Sequence, residues 1–244
     1  MTFNTSLHQA ATKLLGSCEV TAALAEGVVR VATASGKEFV VKRHLTQALH
    51  EREVHAYRQW TWALGSSAPR LIAADQQAMV IVTSALAGSS PGPGDQTFPV
   101  HRQAGALLRR FHDAEPPSDL AWFHGWLQDR AGHWTRRAAT LMSGTDARII
   151  ERHLAALSRM GVPHGGPCHL DFQPRNWLIG TSGDISLIDF EHARIDMPAA
   201  TSSASAFAPG HTGRACGTRS SRVTDALLPR PKSSSTGTWA PSTP

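Results

Sequence analysis

Apolar residues in the first third of the chain are spaced for strands. Val28–Thr33 and Phe39–Val41 are β-branched or aromatic runs joined through Ser35-Gly36-Lys37, a turn-forming stretch, and they predict a hairpin within the strand-like segment that opens at Cys18. Leu49, Val54, Tyr57 and Trp60 then recur at helical intervals behind Thr46, a suitable N-cap. Strand character returns on both sides of Asp75-Gln76-Gln77, so the predicted order is β, β, α, β, β. A Gly/Pro/Ser-rich segment, 87–99, follows. Beyond it the period lengthens to that of a helix. Val100, Ala104, Leu107, Leu108 and Phe111 share one face ending near His112, and Ile149, Ile150, Leu154, Leu157 and Met160 share another that stops at Gly161. Two short apolar strands, in NWLIG and ISLID, flank the turn Thr181-Ser182-Gly183-Asp184.

These elements predict an α+β chain of two lobes. The expected divisions are a β-rich lobe at 1–86, a hinge and linker at 87–99, a mainly helical lobe at 100–198 and a tail at 199–244. The tail differs in kind. It holds 25 Ser, Thr, Pro or Gly residues and only five large apolar ones, too few to offset the entropy of ordering it, so disorder is expected there.

Charge changes the picture little. The formal net charge of +5 is concentrated in the tail, where five Lys or Arg face the single Asp225, so the lobes are near neutral and nucleic acid is not an expected partner. No apolar run is long enough to cross a bilayer, and the N-terminus lacks a basic-then-apolar leader; a cytoplasmic protein without a membrane partner is expected. Cys18, Cys168 and Cys216 form neither a CxxC pair nor an even set, which argues against disulfides and zinc.

The chemistry is concentrated in HLDFQPRNWLI, His169 to Ile179, and LIDFE, Leu187 to Glu191. Phosphoryl transfer from a nucleotide needs a base for the acceptor hydroxyl, oxygen ligands for Mg²⁺ and a cation on the phosphates. Asp171, Asn176 and Asp189 supply the oxygen-bearing part of that set, and one carboxamide with one carboxylate suffices for Mg²⁺ alongside phosphate oxygens.

HxDxxxxN followed by IDFE resembles the catalytic and metal-binding loops of the aminoglycoside phosphotransferases, relatives of the protein kinases. QAGALLRRFHDAEPP is similar to the first helix of that family's C-lobe, and FVVKRH to its lysine-bearing third strand; the resemblance runs from about residue 20 to about Met197. It implies a two-lobed kinase-like fold, ATP and Mg²⁺ as cofactors, and a small-molecule hydroxyl as acceptor. Asp171 would be the catalytic base, and Asn176 and Asp189 the metal ligands. Lys42 would contact the α/β-phosphates and pair with Glu53, or alternatively Glu51. Thr83–Gly88 would be the hinge, with Ser84 and Leu86 at the adenine. Departures are a nucleotide loop, LAEGVV, with only Gly27, and Leu170 where many members have Gly.

Each residue also has an ordinary reading. A lysine at a strand end is usually a solvated charge, Glu51 and Glu53 could be surface helix residues, and Asn176 and Asp189 could cap turns. His169 is expected to brace its loop as a buried imidazole, Glu191 to orient the metal loop or lie exposed, and Trp122, Trp126 and Trp134 to pack in the core or between lobes. Two other functions compete. One is a degenerate kinase-like module that binds nucleotide without turnover. The other is a metal-dependent hydrolase using His169, Asp171 and His192.

The resemblance also implies terminal helices after Met197, where composition instead shifts abruptly. With TCN serine codons, Ala200–Gly210 read one register out accommodates DLVRLRFRAW, an amphipathic pattern. A frameshift near Ala199 that replaced the terminal helices is therefore expected, with the C-lobe incomplete and activity impaired.

Overall fold

Leu7, Ala11 and Leu14 recur at i, i+4 and i+7, and they form the inner face of α1, Phe3–Leu15, a helix the strand-focused reading of the N-terminal part did not assign. Gly16 ends it in a left-handed conformation (φ 82°). The structure, a computed structural model, describes residues 3–198. The expectations of a disordered, frameshifted tail concern residues outside those described.

α1 lies against a five-stranded antiparallel sheet made of β1 (Cys18–Ala25), β2 (Val28–Thr33), β3 (Glu38–Arg43), β4 (Leu71–Asp75) and β5 (Val80–Ser84), in the order β1-β2-β3-β5-β4. The expected hairpin is β2–β3, and β1 extends it into a meander with irregular register at Val20/Ala22 and Ala23/Ala25. β1 is largely exposed and Ala-rich, so its sequence carries a weaker strand signal than its neighbours. Val29, Val31, Val41, Val80 and Val82 point to one side and form a core with Leu7 and Ala11.

α2, Gln47–Gln59, crosses the other side. Its N-cap is Thr46, whose side-chain oxygen accepts from the Leu49 N–H. Leu49, His50, Glu53, Val54, Ala56 and Tyr57 are buried, one continuous helical face. A 3₁₀ segment, Thr61–Ser67, leads to β4.

The helical half begins with α3, Phe98–His112, whose Ala104, Leu107, Leu108 and Phe111 are buried as the spacing predicts. Then follow β6 (Ser118–Asp119), α4 (Phe123–Arg137), α5 (Gly144–Ser158), β7 (His164–Cys168), the hairpin β8 (Trp177–Ile179) and β9 (Ile185–Leu187), and β10 (Arg194–Asp196). A small sheet has the order β10-β7-β6. One apolar cluster joins the halves: Tyr57 and Trp60 from α2 and its C-cap meet Phe111 of α3 and Phe190 after β9, with ring centroids 5.3–6.0 Å apart.

Two packing expectations are corrected. Trp122 and Trp134 are 47% and 41% exposed, and neither they nor Trp126 are in the core. Arg130 instead lies over the Trp126 ring and Arg137 over Trp134, at 5.5 and 5.9 Å. α5 forms as predicted, yet its apolar stripe has no deep partner among the described residues: Ile149 and Leu157 remain 39% and 38% exposed, and Met160 beyond it 77%.

The linker is fastened to the helical half. Ser89 and Ile179 exchange both backbone hydrogen bonds, at 2.9 and 3.2 Å. Gly88, at φ 121°, brings its backbone so close that a Cβ would sit 2.6 Å from the Ile179 carbonyl oxygen. Gly88→Ala is expected to destabilise the protein by about 1–3 kcal/mol, whereas Gly94→Ala, which meets nothing within 4 Å, should stay within about 0.5 kcal/mol of the parent. Urea denaturation of both variants checks the difference.

Candidate active site

Period-two alternation on β3 directs Lys42, and the following His44, toward α2. There the Lys42 Nζ meets Glu53 Oε2 at 2.8 Å. Glu53 is four residues after Leu49 on the buried face of α2. Glu51, two residues earlier, lies on the exposed face, where it accepts from Gln47 and Gln76. Of the two candidate partners for Lys42, the structure therefore pairs it with Glu53.

Glu53 is 1% exposed. Oε2 receives Lys42 and lies 2.6 Å from His44 Nε2, Oε1 accepts the Phe190 N–H at 3.2 Å, and the Tyr57 ring packs against Phe190 beside it. Burial by itself would raise its pKa, but the Lys42 charge and the His44 contact outweigh burial and hold it down at about 2. His44, fully buried at its side chain, was not singled out in the sequence; its place two residues beyond Lys42 on the same strand face was the available signal.

Lys42 also contacts Asp189 Oδ1 at 2.5 Å and Glu191 Oε2 at 2.9 Å. Its burial opposes the charged form, and the three carboxylates reverse that, pushing its pKa well above the usual lysine value. Glu191, left open between an orienting role and an exposed charge, is one of the three.

The second cluster is built on the turn after β7. Asp171 and Asn176 come together because a 3₁₀ turn, Pro174–Asn176, folds the chain back, with Pro174 suited to its first position. Asn176 Nδ2 donates to both the Asp171 carbonyl and its Oδ2, each at 2.9 Å. Both amide hydrogens are thereby used, which leaves Oδ1 as the atom available to a cation. Arg175 Nη2 bridges both Asp171 oxygens at 2.8 Å, and Gln173 Nε2 donates to Oδ1 at 2.9 Å. Neither Arg175 nor Gln173 was a sequence candidate.

Two backbone ties join the clusters. His169, wholly buried, has Nε2 3.1 Å from the Ile188 carbonyl, and the Ile188 N–H donates to the Asn176 carbonyl at 3.0 Å. Burial pushes the His169 pKa down, so the neutral ring donates to Ile188 from Nε2 and serves as a brace. Leu170 and Asp189 both have positive φ, 59° and 67°. That conformation favours Gly, and its cost at Leu170 is about 1–2 kcal/mol.

In the segment expected to be the hinge, the Ser84 N–H donates to Arg70 O and its hydroxyl accepts the Arg70 N–H, both at 2.9 Å. The Leu86 backbone makes no hydrogen bond among the described residues. Gly27 makes the β1–β2 turn at φ 74°, and its carbonyl accepts the Arg43 N–H. The His169, Asp171 and His192 grouping is not assembled as a metal site: His169 is turned to Ile188 and His192 lies 3.6 Å from Glu191. Among the described residues the one cluster of three ligand-type groups is His44, Glu53 and Glu191, with Lys42 bonded to both acids. Two surface hollows of about 420 and 460 Å³ flank α2 and include none of Lys42, Asp171, Asn176 or Asp189 in their linings.

A family model described as the phosphotransferase enzyme family matches residues 20–200. The chain belongs to this family. Solved structures similar to this phosphotransferase-family chain include a thermostable mutant of an aminoglycoside phosphotransferase in ternary complex with ADP and hygromycin B, at 15% identity, 82% of this chain, 75% of that one and a TM-score of 0.54. A macrolide 2′-phosphotransferase type I is 19% identical, with 83% and 75% of the two chains covered and a TM-score of 0.53. Choline kinase LicA from Streptococcus pneumoniae is 18% identical, with 84% and 75% covered and a TM-score of 0.52. At such identities the likeness establishes the fold, the two-lobed kinase-like α+β arrangement. No curated protein sequence matches. No helix among the described residues is long and apolar enough to cross a membrane.

The depressed pKa of Glu53 gives a pH signature. Its stabilising contribution is present above the ordinary carboxylate value of about 4.5 and is lost as pH falls towards about 2. Glu53→Gln should therefore flatten the stability profile in that window, removing a fall of roughly 3 kcal/mol. Urea denaturation of parent and variant at a series of pH values checks it.

Proposed function

We propose that this chain transfers the γ-phosphoryl group of Mg·ATP to a hydroxyl of a small molecule, in the manner of an aminoglycoside O-phosphotransferase. The observation that carries the reading is the convergence on one ammonium, Lys42, of Glu53 from α2 and Asp189 from the loop after β9, 147 residues away in sequence. Lys42, held by Glu53, takes the α/β-phosphates. The hinge at Ser84 and Leu86 receives the adenine, with the open Leu86 backbone as its hydrogen-bonding group.

Asn176 Oδ1 and the Asp189 carboxylate are hard oxygen donors of the type Mg²⁺ prefers, and Asp189 Oδ2 has no hydrogen-bond partner among the described residues. Bound there, Mg²⁺ would neutralise charge on the phosphates. Asp171 orients the acceptor hydroxyl and takes its proton as the oxygen attacks the γ-phosphorus; the bond to the β-phosphate oxygen breaks and ADP leaves.

A second reading is a nucleotide-binding module with impaired or absent turnover. The apolar faces of α4 and α5 that no described residue covers favour it, because exposed apolar surface there would cost stability and part of an acceptor pocket.

The full chain, incubated with Mg·ATP and a panel containing an aminoglycoside, a macrolide and choline, is expected to release ADP in an acceptor-dependent way. Asp171→Asn should lower kcat by about 10²–10⁴-fold while leaving Mg·ADP binding, measured by calorimetry, unchanged. Binding of Mg·ADP without transfer to any acceptor favours the second reading, and absence of nucleotide binding by the parent chain refutes both.

A further inference from the structure

Arg175 lies across the base. Its Nη2 bridges both Asp171 oxygens at 2.8 Å, and its Nη1 donates to Gln173 Oε1 at 2.9 Å, while Gln173 Nε2 donates to Asp171 Oδ1. The three side chains form a closed network. The hydroxyl of Ser90, in the linker, donates to the Arg175 carbonyl at 3.1 Å and fixes the backbone beneath it.

The guanidinium is not used up by this network. It has five N–H donors, and two remain without an acceptor among the described residues. Its side chain is 62% exposed while that of Asp171 is 13% exposed, so the cation is on the open side of the carboxylate. Exposed ion pairs of this kind are weak, and the head can turn without a large penalty.

An acceptor oxygen bonded to Asp171 must lie within about 3 Å of the carboxylate, hence close to Arg175, and the phosphorus it attacks is its next neighbour. We propose that Arg175 is a catalytic residue of the reaction proposed above, on which this inference rests: its guanidinium contacts the equatorial oxygens of the phosphoryl group in transfer from the acceptor side. Lys42 serves the opposite, α/β-phosphate side. Charge on those oxygens is what a positioned arginine stabilises in phosphoryl transfer.

The test needs no identified acceptor. Calorimetry on the full chain measures the affinity for Mg·ADP alone and with aluminium fluoride, which with ADP mimics the phosphoryl group in flight. The parent is expected to bind Mg·ADP more tightly when fluoride and aluminium are added. Arg175→Ala should keep the Mg·ADP affinity within about twofold and lose tenfold or more of that tightening, and Arg175→Lys should restore part of it. Circular dichroism of each variant confirms that it is folded. Equal tightening in the parent and Arg175→Ala overturns this assignment and leaves the proposed function standing. A parent that does not bind Mg·ADP overturns the proposed function and this assignment with it.

Discussion

Glu53 is the constraint around which the site is arranged. A carboxylate with almost no exposure cannot be left unpaired; removing a single partner from such a buried charge typically costs about 3–5 kcal/mol. Its partners come from two places: Lys42 and His44 at the end of β3, and the Phe190 N–H after β9. Satisfying one side chain thus fixes the position of α2 against the sheet and against the loop that carries Asp189. Lys42 then extends the network to Asp189 and Glu191, so that one ion-paired chain spans the two halves of the molecule.

The Asp171 and Asn176 turn is organised by different means. Here the hydrogen bonds are mostly local, within six residues, and the left-handed Leu170 bends the chain into them. The neutral, buried His169 and the Ile188 backbone hold this turn against the second loop. The result is a locally bonded pairing of Asp171 and Asn176 next to the ion-paired group around Lys42. In the proposed phosphoryl transfer, positioning and neutralisation would do most of the catalysis. In the proposed function the turn positions the acceptor, while Lys42 and its carboxylates exchange one another for phosphates and a cation.

The periphery of the helical half is less settled. α3 is embedded in the shared core through Phe111, whereas α4 and α5 leave Trp122, Trp134, Ile149 and Leu157 substantially open. The chemistry-bearing loops depend on the α2, α3 and β8–β9 core and not on that outer pair. In the proposed function the nucleotide depends on the hinge and α2 and the acceptor on the helical half, which is why binding and turnover separate the two functional readings.

The local alternation of apolar and polar positions was enough to determine β2–β3, α2, β4–β5, α3 and the β8–β9 hairpin, because each buries one regular face. Spacing also brought out Asp171, Asn176 and Asp189, whereas the preference for Glu53 over Glu51 came with the family resemblance, and its place on the buried face of α2 was seen in the structure. α1 was legible in Leu7, Ala11 and Leu14 but passed over beside stronger strand signals, and β1 is too Ala-rich and exposed to be distinct. Only the tertiary structure decided that His44 supports Glu53, that Glu191 joins Lys42, and that Arg175 covers Asp171. Those contacts connect residues through the approach of separate elements or through side-chain rotamers. A one-dimensional pattern records which face a residue is on, but not what comes to meet it there.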